Sequence, residues 1–224
     1  MKRHGIMVVG GAVLTAGLLV VAMPLVAQQP AVQQSAAHAH MSHVADGFAN
    51  TPDGAGLLPT ALAEAAVARQ HAELALRNTT ELASMQRHAG HVLHAVDPSR
   101  IEQGPGAGYG VVRAASGVAQ HIEMAGSHET ASENVQLHAT HVATAARTAT
   151  ERAERIASLA EEIMATTSAD GAAGLLQELA DLTEQMVSGV DANGDGRIGW
   201  QEGEGGLAQA EQHITLMKRG EGGR

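Results

Sequence analysis

The chain has 224 residues, no cysteine, one each of Phe, Tyr and Trp, and thirteen histidines, with a formal net charge of −10 when those histidines are neutral. Without cysteine, a disulfide framework, covalent c-type haem attachment and a lipidated cysteine anchor are all excluded. An acidic chain is also a poor partner for nucleic acid and attracts cations.

At the N-terminus Lys2 and Arg3 precede an apolar run from Ile6 to Met23 and then PLVAQQP. This is the order of a secretory signal peptide, with cleavage expected after Ala27. The alternative is an uncleaved anchor; the glycines inside the run and Pro24 at its end favour cleavage. The mature protein is therefore expected in a periplasm or outside the cell, with no span left to cross a membrane. Residues 28–57 mix Gln, Pro, Gly and Asp without a sustained period, as a linker or loosely docked arm does.

From Leu58 onward Ala, Leu, Val, Met, Glu and Gln dominate, which predicts an all-α fold. A first helix runs over 58–77. A second begins at the capping-box pair Asn78 and Glu81 and stops before Asp97-Pro98. The run GPGAGYG at 104–110 is a connection, a third helix covers about 110–125, and a fourth starts at Thr130 with Glu133. The fourth continues to about Ser168, with Ile156, Leu159 and Ile163 at helical spacing. Two more helices are expected, Ala172 to Ser188 and one ending near Met217.

A shift of fifty residues superimposes two parts of this pattern. QHAELA at 70–75 falls on QHIEMA at 120–125, and HAGHV at 88–92 falls on HATHV at 138–142. Two duplicated αα-hairpins, about 60–96 and 110–146, then predict a four-helix bundle, with the long fourth helix extending into a C-terminal helical module over 148–219.

The repeat places histidines at matching levels. At 1.5 Å per residue, His71 and His88 each lie roughly 10 Å from their turn. His91 follows His88 on the same face. The second copy offers His121, His138 and His141 in the same relation. His88 and His138 fall on an apolar stripe with Met85, Val92 and Ala95, and with Val135, Val142 and Ala145. Neutral imidazoles on facing helices are ligands for copper or zinc, so these six residues are the candidate transition-metal ligands. Glu73 and Glu123 are candidate oxygen ligands or acceptors for imidazole N–H. The bland alternative is that duplication merely copied core histidines. His94, whose counterpart is Thr144, is read as solvated. His38, His40 and His43 could form a secondary copper or zinc patch on the arm. Met41, Met85 and Met124 stand near these histidines, as soft ligands or as core filler.

Residues 191–202, DANGDGRIGWQE, resemble an EF-hand loop. The resemblance implies calcium at Asp191, Asn193, Asp195, the Arg197 carbonyl and Glu202, with Gly196 at the sharp turn and Ile198 at the apolar eighth position. GEGG at 203–206 is a poor start for an exit helix, and no second loop is visible, which suggests weak binding or pairing of loops in a homodimer. The expected function is that of an exported metal-binding protein rather than an enzyme, since no nucleophile elbow, H-E-x-x-H motif or phosphate loop is present. Two rivals are a bundle holding non-covalent haem, disfavoured by the scarcity of aromatics, and a structural protein that binds calcium only.

Overall fold

Polar caps and alanine-rich faces set out seven helices in a computed structural model that describes residues 1, 2, 5 and 35–222: α1 Ala36–Ala45, α2 Leu57–Leu76, α3 Leu82–Val96, α4 Val111–Ser127, α5 Glu133–Ala165, α6 Ala169–Ser188 and α7 Leu207–Gly220. Among the described residues there is no strand, so the fold is all-α. The expected signal peptide, with its cleavage point, lies outside the described residues apart from isolated positions, as does the start of the linker. No described helix is long and apolar enough to cross a membrane.

Serines open three of the helices. The Oγ atoms of Ser35, Ser132 and Ser168 accept from the amides of His38, Val135 and Gly171, satisfying N–H groups that the first helical turn leaves without partners. The expected caps at Asn78 and Thr130 are displaced. Asn78 instead holds the turn before α3, accepting from the amide and hydroxyl of Thr80. Gly110 precedes α4 with φ +82°, and a Cβ there would stand 2.4 Å from Pro98 Cδ, so only glycine fits. A buried acid completes this start: Glu64 Oε1 accepts from the amides of Tyr109 and Gly110, which the first turn of α4 and the residue before it would otherwise leave without partners.

The duplication is visible in what is buried. Ala65, Ala68, Ala72 and Ala75 of α2 match Ala115, Val118, Ile122 and Ala125 of α4; Met85, Ala89, Val92 and Ala95 of α3 match Val135, Ala139, Val142 and Ala145 of α5. Each hairpin therefore turns the same face inward, with small side chains that let helices approach closely. Hairpin α2–α3 meets hairpin α4–α5 through α2 on α4 and α3 on α5.

Within the segment read as a linker or arm, Ala36–Ala45 form helix α1, which buries Ala37, Met41 and Val44 and packs against α4. The described residues from 35 to 222 form one compact unit. Helix α6 packs on α5 and α2, and α7 runs back beside the N-terminal half of α5, where Asn134 Nδ2 donates to the Met217 carbonyl at 2.9 Å.

Candidate metal centres

Three clusters of imidazoles lie on the flanks of these helices: His40, His43 and His121; His71, His88 and His91; and His138, His141 and His213. Each takes an H-x-x-H pair from one helix, namely α1, α3 or α5, and a single histidine from a neighbour, namely α4, α2 or α7. All nine side chains are half-buried.

The three clusters share one geometry. The Nδ1 of the single histidine lies 3.1, 3.0 and 3.1 Å from the Nδ1 of the first member of its pair, in the order given above. The second member stands 3.3 Å away in every cluster. One metal ion with bonds of about 2.0–2.1 Å to imidazole nitrogen in a tetrahedral arrangement needs neighbouring donors about 3.3 Å apart. Hydrogen bonding alone accounts for the clusters poorly, because the central Nδ1 carries either one N–H or one in-plane lone pair, and neither can be well directed at two partners.

For eight of these imidazoles burial favours the neutral form, the form that metal binding requires. Burial lowers the pKa of His40, His71, His88, His91, His121, His138 and His141 from the usual 6.5. His213 falls furthest, to about 4, through burial first and then through the neighbouring His141 and His138. Neutral imidazoles present lone pairs, and three neutral donors leave a metal site with an open fourth position.

Of the six candidate ligands, His71, His88 and His91 are brought together. His121, His138 and His141 are not: His121 joins His40 and His43, while His138 and His141 join His213. The spacing that unites the first trio is present in the second hairpin, so the cause is which flank of each helix faces its partner. Glu123 pairs with Arg147 of α5. His121, two residues away and therefore about 200° around the helix, points to the opposite flank, where α1 lies. A Cβ on Gly126 would stand 2.6 Å from Ala139 Cβ, so the two helices are pressed together at this end. In the first hairpin the counterparts of Glu123, Arg147 and Gly126 are Glu73, Asp97 and Leu76, which offer neither the ion pair nor the close approach.

Other expectations are also corrected. Glu123 is engaged by Arg147, and Glu73 is exposed, so neither carboxylate joins a cluster. Met41 and Met85 are core residues and Met124 is exposed. His94 is buried rather than solvated, its Nδ1 donating to the Pro105 carbonyl at 2.9 Å. His40, His43 and His213 are the cluster members that the fifty-residue repeat leaves out, yet the sequence carries a sign of them. HMSHV at 40–44 is a third H-x-x-H-V after HAGHV and HATHV, and Gln212-His213 is a third Gln-His after Gln70-His71 and Gln120-His121.

The segment 190–206 connects α6 to α7. Asp191 accepts from the amides of Gly194, Asp195 and Gly196, Asn193 from Asp195, and Asp195 from Arg197. Gly194 and Gly196 take φ of +76° and +83°. Ile198 and Glu202 are exposed and α7 begins only at Leu207. Among the described residues Asp191, Asp195 and Glu202 do not converge on one point as the histidines do. The far end of the segment is fastened by buried Arg152, whose guanidinium donates to the carbonyls of Gln185, Gly203, Glu204 and Gly205. Within the segment, Trp200 lies flat against His141, with ring centroids 4.0 Å apart and planes 18° from parallel.

No family model, curated protein or solved structure matches this chain.

Proposed function

We propose that the protein is an exported carrier or buffer of a transition metal, copper or zinc, holding up to three ions per chain, each on three imidazole Nδ1 atoms. The observation that carries this reading is the repeated convergence of three donors, with the same 3.0–3.3 Å spacing, at three places built from different helices. A core histidine preserved by duplication would reappear in the same structural context, and these do not. The spacing also favours single ions over haem, whose two axial nitrogens would stand about 4 Å apart, twice a metal–nitrogen bond, across a flat ring.

The test is metal analysis and calorimetry on protein prepared without a histidine tag. Three equivalents of zinc or copper are expected. Single His88→Ala, His121→Ala and His213→Ala variants should each lose one, while His128→Ala, outside the clusters, loses none. Uptake of no metal by the unaltered chain, or undiminished uptake in all three cluster variants, overturns the reading.

We further propose that segment 191–202 binds calcium, on the strength of its EF-hand resemblance and of the Asp191, Asn193 and Asp195 side chains that organise its first half. Binding would require Glu202 to swing inward. Trp200 at the tenth position then reports on it: calcium should change its emission with a midpoint in the range of about 10⁻⁴ to 10⁻³ M, and Glu202→Gln should weaken the change. No response at ~10 mM calcium removes the calcium site, and sedimentation with and without calcium decides whether the loops pair two chains.

A further inference from the structure

The chain contains only one Phe, one Tyr and one Trp, and two of the three lie against imidazole clusters. Trp200 covers a face of His141. Phe48 stands 5.2 Å from the ring of His43 and 5.0 Å from that of His121, touching ligands from both contributing helices. Tyr109 lies elsewhere, beneath the Arg113 guanidinium. The rings of His71, His88 and His91 contact one another and no other aromatic group among the described residues.

This difference bears on how an ion leaves. A competing chelator takes metal from a three-imidazole site by entering the open position while one imidazole swings off the ion. A flat aromatic neighbour blocks that swing and covers one approach. Coordination also draws electron density out of the imidazole, so its attraction to an electron-rich face grows once metal is bound. Trp200 is well placed for this, because its segment is anchored by the carbonyls of Gly203, Glu204 and Gly205, which accept from Arg152, and by Gly203 N–H donating to Thr148 Oγ1. Phe48 is held by its amide, which donates to the carbonyls of Gly54 and Ala55.

We propose that Phe48 and Trp200 divide the three clusters into two retaining sites and one exchanging site, His71/His88/His91, through which the protein gives up metal first. The proposal rests on reading the clusters as metal sites. It assigns Phe48 and Trp200 as positioning residues, acting through the ligand rings rather than on the ion.

The experiment loads the full chain with Zn(II) at all three clusters and mixes it rapidly with excess colorimetric chelator. One equivalent should leave at least about tenfold faster than the other two, the scale that one well-formed aromatic contact supplies. His71→Ala should abolish the fast phase. Trp200→Ala should move one slow equivalent into it and Phe48→Ala the other, whereas Trp200→Phe, which keeps a ring on His141, should preserve slow release if Trp200→Ala unsettles the segment. Release of all three equivalents in a single phase overturns the proposal, as does an unchanged time course in both alanine variants or loss of a slow phase in His71→Ala. A chain that takes up no zinc fails the functional reading itself, and is told apart by the absence of any release.

Discussion

At the level of single residues, His94 and His213 show how far a histidine's role depends on its neighbours. His94 is buried with Nδ1 bonded to a carbonyl, and a Cβ on nearby Gly104 would stand 2.4 Å from its Cβ. His94→Ala should therefore leave metal stoichiometry intact while lowering stability by about 1–3 kcal/mol, read by denaturant titration. His213 behaves in the opposite way. It contributes to a cluster, and His213→Ala should remove one metal equivalent while costing the metal-free protein little. The clustered imidazoles also give the metal-free fold a defined pH response. The pKa values of His40, His71, His88, His91, His121, His138, His141 and His213 are lowered on folding, so the unfolded chain, titrating near 6.5, binds more protons than the folded one. The stability they contribute is complete above about pH 6.5 and is lost as pH falls toward about 4, where His213 takes its proton. Melting temperatures of the metal-free protein should fall across that window, and replacing cluster histidines by alanine at all three clusters should flatten the slope. A melting temperature that is flat from pH 7 to 4 contradicts this assignment.

Helices were legible in the sequence and their partners were not. Boundaries of α2, α4 and α6 follow from apolar periodicity and fall within a few residues of expectation. What spacing could not show is the flank on which each histidine meets a neighbour, because that is decided by contacts elsewhere: Glu123 with Arg147, and Gly126 against Ala139. With H-x-x-H on three helices and Gln-His on three others, several pairings satisfy the same spacings. Helix α1 was missed for a related reason. At ten residues it is too short to hold itself in water and depends on α4 for its apolar contacts, so its sequence lacks the sustained pattern of a longer element. The segment 190–206 makes a prediction at this scale. Arg152→Leu removes a charge that four carbonyls surround. It should destabilise the fold by about 2–4 kcal/mol and loosen Trp200 from His141, seen as a red shift in the emission of the only tryptophan. Unchanged emission would show that the segment is held by something else.

Across the whole molecule the three clusters differ in how much chain each one spans. His71 and His88 are 17 residues apart, whereas His40 and His121 are 81 apart and His138 and His213 are 75 apart. An ion at either of the latter two joins distant parts of the chain, and the entropy removed from the unfolded state grows with the length enclosed. Zinc at these sites should therefore raise the melting temperature more than zinc at His71/His88/His91, a comparison that single-site variants can make at equal occupancy. The same spans have a mechanical meaning. The two long-range clusters tie down α1 and α7, the first and last helices, and these also meet each other through His38 with Glu221 and Lys218 with Asp46. With metal bound at both, force applied between the two ends of residues 35–222 would reach two clasps before it reached any hairpin. A chain stretched in this way should resist as a closed loop while metal is bound at those two clusters and open from both ends once it is removed.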